Sequence, residues 1–207
     1  MPVRQLEVTG LTCVRAEREV FSDVTFSVKS GEAILLRGPN GAGKTSLLMC
    51  LASYLPIASG TLTWNGRDPE QRPGEDMHYV GHQSAIKPSL SVAENLAFWA
   101  NINGGHPDLV PDVLLAARLD HAANLEAMLL SAGQLRRLAL ARLLVSPRPI
   151  WLLDEPTSAL DAQGAAWVEQ MIDKHLQNGG FVIAATHLDL ALQNSPQIKT
   201  IMLRGAK

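Results

Sequence analysis

The sequence predicts an α/β fold: a parallel-sheet core, an antiparallel strand layer on its N-terminal side, and an inserted lobe of helices. Three observations predict it. Ala33 to Leu36, Ile150 to Leu153 and Phe181 to Ala185 are continuously apolar, as strands covered on both faces of a parallel sheet are. Each of these runs ends in polar residues, Gly38 to Thr45, Asp154-Glu155 and Thr186-His187, at the strand ends where open α/β sheets bind ligands. Residues 91 to 145 read as nearly all helical, a shift from the strand-rich start.

Taken in order, Leu6 to Thr9 and Val24 to Val28 alternate apolar with polar, the pattern of half-buried strands. Ser30-Gly31 turns the chain into the apolar strand Glu32 to Leu36, and a helical run follows from Thr45 to Ala52. Thr61 to Trp64 is a short strand, and Asn65-Gly66 after it carries the two-residue hairpin signal. Arg67 to Asp76 is polar and proline-rich, a surface loop, before the strand Met77 to Val80. Ser91-Val92-Ala93-Glu94 is a capping box opening a helix to about Asn101. Gly104 to Pro107 breaks that helix, and Pro111 opens another through Arg118. Ser131-Ala132-Gly133-Gln134 is a second capping-box pattern. Its helix carries Leu135, Leu138, Ala139, Leu143 and Leu144, with Arg136 and Arg137 expected on a solvated face. Pro147 and Pro149 stop it. A helix from about Asp161 to Gln177 ends at Asn178-Gly179-Gly180, and Ile198 to Leu203 is a last strand. The whole chain reads as one domain: a core over about 1–83 and 146–207, with the helical lobe over about 84–145.

Composition excludes some classes. A chain of 207 residues with 46% hydrophobic content can bury a sizeable core. Its net charge of −2 gives no electrostatic footprint for nucleic acid. Cys13 and Cys50 fit no metal or redox spacing and read as reduced, buried thiols of a cytosolic protein. Met1 to Gln5 lacks the apolar core of a signal peptide, and no apolar run approaches the roughly 20 residues of a membrane span. Any membrane role is expected to fall to a partner.

The chemistry centres on Gly38-Pro39-Asn40-Gly41-Ala42-Gly43-Lys44-Thr45, which fits G-x-x-x-x-G-K-[ST] between a strand and a helix. The glycines let backbone N–H groups turn around a phosphate, and the helix N-terminus adds its positive end. Lys44 is placed at the β/γ-phosphates and Thr45 on Mg²⁺. Ile150 to Asp154 is a Walker B pattern: Asp154 holds the Mg²⁺ shell and Glu155 orients the attacking water. Alone, Asp-Glu before Pro156 would be a solvated strand end; beside a phosphate loop it reads as catalytic. His187 is placed at the γ-phosphate or the water, and Gln83 at Mg²⁺ or water, each on position within this set rather than on its own signal. Leu130 to Gln134 puts a small turn at a helix N-terminus, a second anion site on the other lobe. If it cannot reach its own γ-phosphate, it completes the site of a second copy.

This set, in this order, resembles the nucleotide-binding subunit of ABC transporters over essentially the whole chain. The resemblance implies a RecA-like ATPase core binding ATP and Mg²⁺. Gln83 is then similar to the Q-loop glutamine, Leu130 to Gln134 to the Leu-Ser-Gly-Gly-Gln signature, Ser158 to Asp161 to the D-loop, and His187 to the switch histidine. It also implies a head-to-tail dimer with two ATP molecules at its interface, and membrane subunits docked near the Q-loop. The wider family puts an aromatic residue under adenine near position 15; here Arg15 can stack its guanidinium plane instead. Ala132 replaces the first signature glycine, which implies helical geometry there. The short length, Leu11 to Arg15, Gly81-His82-Gln83 with Lys87, and Ala132 narrow the resemblance to the CcmA-type ATPases of cytochrome c maturation. Those are described as haem-exporter subunits at the cytoplasmic face of the bacterial inner membrane. No C-x-x-C-H attachment motif is present, so direct haem binding is not expected. The alternatives are an ABC subunit serving another cargo, a soluble ABC ATPase, and a P-loop small-molecule kinase.

Overall fold

The computed structural model describes residues 4–64, 76–188, 190–192 and 197–205. Two sheets form. Strands β1 (Gln5–Arg15), β2 (Arg18–Lys29) and β4 (Ser59–Trp64) make an antiparallel layer in the order β2-β1-β4. Strands β3 (Glu32–Arg37), β5 (Met77–Val80), β6 (Ile150–Asp154), β7 (Phe181–Ala185) and β8 (Gln197–Met202) make a parallel sheet in the order β5-β6-β7-β3-β8.

The apolar runs of the parallel sheet feed two cores because side chains alternate between faces. Ile34, Leu36, Ile150, Leu152, Phe181 and Ile183 face a core shared with the antiparallel layer and with helix α1 (Lys44–Leu51), through Leu47, Leu48 and Leu51. Ala33, Leu35, Trp151, Leu153, Val182 and Ala184 face the opposite side, against Val168, Ile172 and Leu176 of helix α5 (Ala162–Gln177). Helix α1, with the glycine loop at its head, is thus packed between two sheets.

Helices α2 (Val92–Ile102), α3 (Val110–Ala116) and α4 (Ala132–Val145), linked by 3₁₀ turns, build the helical lobe around Val92, Leu96, Leu114, Leu119 and Leu138. Both capping boxes form. The Ser91 N–H donates to Glu94 Oε2 at 2.8 Å and the Glu94 N–H donates back to Ser91 Oγ at 3.2 Å. Helix α4 belongs to two cores at once: Leu138, Ala141 and Val145 face the lobe, while Ala139, Leu140 and Leu143 face the parallel sheet.

One expectation changes. Arg136 does not sit on a solvated face: it is 6% exposed, and Arg142 on the same helix is 5% exposed. With apolar cores on two sides, α4 has little surface to give to solvent, and both guanidinium groups find backbone carbonyls instead. The Asn65-Gly66 turn lies outside the described residues, as does most of the loop after it. The strands flanking it, β4 and β5, pair with β1 and β6 in different sheets rather than with each other. Among the described residues no helix is long and apolar enough to cross a membrane.

Candidate functional site

The glycine loop connects β3 to α1, and its backbone requires glycine at specific points. Gly38 has φ +146, and a Cβ there would lie 2.4 Å from the Leu203 carbonyl oxygen. Gly43, the N-cap of α1, has φ +92, and a Cβ would meet Phe21 and Val20 at 3.0 Å. With no side chain at the cap, no side-chain acceptor covers the first-turn N–H groups of α1. They remain donors for an anion.

A pocket of about 310 Å³ opens on this loop, lined by Asn40 to Ser46, Val20, His82, Asp154, Glu155 and His187. The glycine loop, His82, Asp154-Glu155 and His187 meet there because β3, β5, β6 and β7 run parallel and end on the same side, and Val20 of β2 closes the pocket. The Lys44 ammonium, 8% exposed, donates to the Gly38 and Pro39 carbonyls at 2.8 and 3.2 Å. Its Nζ lies 3.3 Å from His187 Nε2. An ammonium only donates, so Nε2 accepts from Lys44 only when that nitrogen carries no proton. The same Nε2 is 3.5 Å from Glu155 Oε1. His187 therefore stands between the phosphate-loop lysine and the carboxylate after Walker B.

The Thr45 hydroxyl donates to Asp154 Oδ2 at 2.8 Å. Hydroxyl and carboxylate oxygens at one point are the hard donor set that Mg²⁺ selects, so these two residues fit that ion. Glu155 has φ +47, the left-handed region that non-glycine residues enter at a cost and that clusters at functional sites. Its N–H donates to the Ala185 carbonyl at 2.8 Å, so the ladder between β6 and β7 runs one residue past Asp154 before the chain turns.

Gln83 does not line this pocket, although Thr45 borders both the pocket and the cleft that Gln83 lines. Gln83 is exposed and lines the neighbouring cleft of about 1150 Å³ between core and helical lobe, together with Tyr54, Tyr79, Trp99 and Arg142. His82 borders both the pocket and the cleft. Sequence reasoning used it only within Gly81-His82-Gln83, as part of the family resemblance, and gave it no role in the site. Arg15 is exposed at the β1–β2 turn and does not line the pocket; Val20, on β2, does. The turn itself is set by Ala16 and Glu17, both at positive φ.

Ser131, Ala132, Gly133 and Gln134 do not line the pocket either. They form the N-terminus of α4, with the Gln134 N–H donating to Ser131 Oγ at 3.3 Å and the Ser131 N–H to Gln134 Oε1 at 2.9 Å. Ala132 opens the helix and needs no positive φ, as its replacement of glycine implied. A Cβ on Gly133 would lie 3.0 Å from the Ala159 carbonyl oxygen, so this turn packs on the segment after Walker B. Asp161 caps α5 by accepting from the Gly164 N–H at 2.7 Å and also pairs with Arg137 at 2.7 Å. The capping bond first, and Arg137 with it, holds the Asp161 carboxyl below its usual range.

The family model for the ABC transporter matches residues 21–158, which span the glycine loop, the α4 turn and both Walker B carboxylates. The chain belongs to the ABC transporter family. Within this family it is 54% identical over 183 residues to a Rhodopseudomonas palustris protein named cytochrome c biogenesis ATP-binding export protein CcmA, covering 88% of this chain and 92% of the relative. The protein of the same name from Bradyrhizobium diazoefficiens is 50% identical over 190 residues, covering 92% of this chain and 95% of the relative. The chain is thus an ABC ATP-binding subunit of the CcmA type. Among solved structures, an ABC transporter ATP-binding protein from Pyrococcus furiosus superposes with a TM-score of 0.83 at 26% identity, over 96% of this chain and 97% of that one. The ATP-binding cassette MJ0796, solved as a dimer in a post-hydrolysis state with ADP and Pi, has the same fold at TM-score 0.83 and 23% identity. It covers 98% of both chains. The RecA-like core with its antiparallel layer and helical subdomain is therefore the ABC ATPase fold, as the motifs implied.

Proposed function

We propose that this chain hydrolyses ATP to drive a membrane-bound ABC complex, and that this complex serves the haem-export or haem–chaperone-release step of c-type cytochrome biogenesis. The observation that carries the reading is the single pocket where Lys44, Thr45, Asp154, Glu155 and His187 face one another at the head of α1. The names of the CcmA relatives support the cytochrome c assignment.

In this reading the loop from Gly38 to Gly43 wraps the phosphates with N–H groups, and Lys44 exchanges its loop carbonyls for phosphate oxygens. Thr45 and Asp154 would hold Mg²⁺, which when bound would supply charge neutralisation to the phosphates. Glu155 accepts a proton as water attacks the γ-phosphorus and the bond to the bridging oxygen breaks, giving ADP and phosphate. His187, released from Lys44, hydrogen-bonds the γ-phosphate or the water. Gln83 reaches the site from the cleft when the lobe closes. Ser131 to Gln134 and Asp161, remote from their own pocket, complete the pocket of a second copy. Arg15 and Val20 border the base. The cleft beside Gln83 receives the membrane subunits, which hold the chain at the cytoplasmic face of the inner membrane.

Glu155→Gln tests the chemistry. The variant is expected to bind ATP with parental affinity, to lose about 10²–10³-fold in turnover, and to accumulate as a dimer with ATP. Parental turnover in Glu155→Gln would remove Glu155 from the reaction. Co-purification with membrane subunits that carry periplasmic haem-handling domains would support the assignment of cargo. A partner that depends on a substrate-binding protein would end it.

A further inference from the structure

Helix α4 sends one side chain away from the lobe and into the carboxyl ends of the parallel sheet. The Arg136 guanidinium is buried and fans out over four backbone carbonyls on two strand ends. Its Nη1 donates to the Gly81 carbonyl at 2.8 Å, just past β5 and two residues before Gln83. Its Nη2 donates to the Asp154 carbonyl and, at 2.9 Å, to that of Glu155; its Nε donates to Pro156 at 3.3 Å. Among the described residues no carboxylate oxygen accepts a hydrogen bond from this guanidinium. A buried charge is costly to keep; the nearby Asp154 and Glu155 carboxylates offset part of that cost, and five N–H donors in a rigid fork are what hold several carbonyls in one geometry.

What it holds matters. The carbonyls of Asp154, Glu155 and Pro156 form the corner where Glu155 adopts φ +47, a backbone state that persists only when its surroundings over-determine it. The same helix ties down the next segment, through Arg137 on Asp161 and Gly133 against Ala159. Ser131, the N-cap of α4, lies five residues before Arg136 on the same element.

We propose that Arg136 is a positioning residue for Glu155: it locks the Walker B corner and the exit of β5 to α4, so that the carboxylate's placement follows the position of the helix bearing Ser131. A shift of α4 in a closing dimer would then reach Glu155 and the Gln83 segment through one rigid side chain. The inference rests on the ATPase reading, and the experiment separates the two.

The test compares the full-length parent with Arg136→Lys, Arg136→Met and Glu155→Gln, each alone, and with Arg136→Met in the Glu155→Gln background. Turnover at saturating Mg–ATP, KM, nucleotide Kd and melting temperature are measured on each. A parent that hydrolyses no ATP would defeat the functional reading itself. If the parent is active, Arg136→Lys is expected to lose about 10-fold in kcat with KM and Kd within about 2-fold. An ammonium reaches fewer of the four carbonyls at once. Arg136→Met is expected to lose more, and to lose nothing further in the Glu155→Gln background, since the effect runs through that carboxylate. Parental kcat in Arg136→Lys, or a fall in kcat matched by an equal loss of Kd, would overturn the proposal. So would additive losses in the double variant. If Arg136→Met does not fold, the kcat-against-KM split of Arg136→Lys decides alone.

Discussion

In the proposed ATPase reading, Lys44 is the residue on which phosphate binding turns. Its stem is packed away, and its ammonium is occupied by the Gly38 and Pro39 carbonyls and by His187 Nε2. These partners are acceptors without negative charge, so an anion that enters the loop offers the ammonium a better bond. A hydrogen bond to a charged group is worth about 1.5–3 kcal/mol, or roughly 10- to 100-fold in affinity. Lys44→Ala is therefore expected to weaken ATP binding by at least about 10-fold and to abolish turnover, as equilibrium nucleotide titration and phosphate release would report. Lys44→Ala binding ATP at parental strength would show that backbone N–H groups alone grip the phosphates.

Among the elements, α4 carries the most. Its head is the turn Ser131 to Gln134, its first two turns hold Arg136 and Arg137, and its body divides between two cores. Removing the Ser131 hydroxyl costs a cap of about 1 kcal/mol, a loss that melting would register. The functional expectation is separate and concerns whose ATP the turn serves. Mixing Ser131→Ala protomers with Lys44→Ala protomers gives heterodimers. If the turn acts on the partner's nucleotide, one intact composite site survives and ATPase activity partly returns. If the turn acts within its own chain, both sites stay broken and mixing restores nothing.

The same element marks how far the sequence could be read. The parallel strands were legible because a strand covered on both faces must be apolar throughout, and the glycine loop because only glycine tolerates its backbone. Both capping boxes were legible because reciprocal side-chain bonds need particular residues at a fixed spacing. Burial of Arg136 was not legible. Its partners are carbonyls, which every residue carries, so no spacing or residue type announces them. His82 shares this limit, since its place between pocket and cleft depends on the loop path and not on its neighbours in sequence.

At the scale of the whole molecule, the buried His78 and the half-buried His175 make stability depend on pH. His78, 6% exposed, is pushed down to about 4, first by burial and further by the nearby positive groups Arg148, Arg142 and His175. The Ser146 carbonyl bonded to Nε2 opposes this in part. His175 is also pushed down to about 4 by burial, stacked on Trp151 at 3.8 Å between centroids and partnered by the Pro149 carbonyl at 3.2 Å. Both are neutral in the folded chain at pH 7. In the unfolded chain each returns to about 6.5, so between pH 6.5 and 4 the unfolded state binds more protons. Stability is then expected to be full above about pH 6.5 and to fall as pH drops toward 4. A shift of this size corresponds to about 3 kcal/mol for His78 at the acid end, and less for the half-buried His175. Both anchor the same edge of the parallel sheet: His78 lies in β5, opposite Trp151 of β6. Protonation should loosen β5 and, with it, the segment that leads to Gln83. Urea unfolding at a series of pH values would measure the slope, and His78→Gln, which keeps a donor for Ser146 but cannot titrate, should remove most of it. An unchanged slope in His78→Gln would assign the acid sensitivity to His175 and the carboxylates instead.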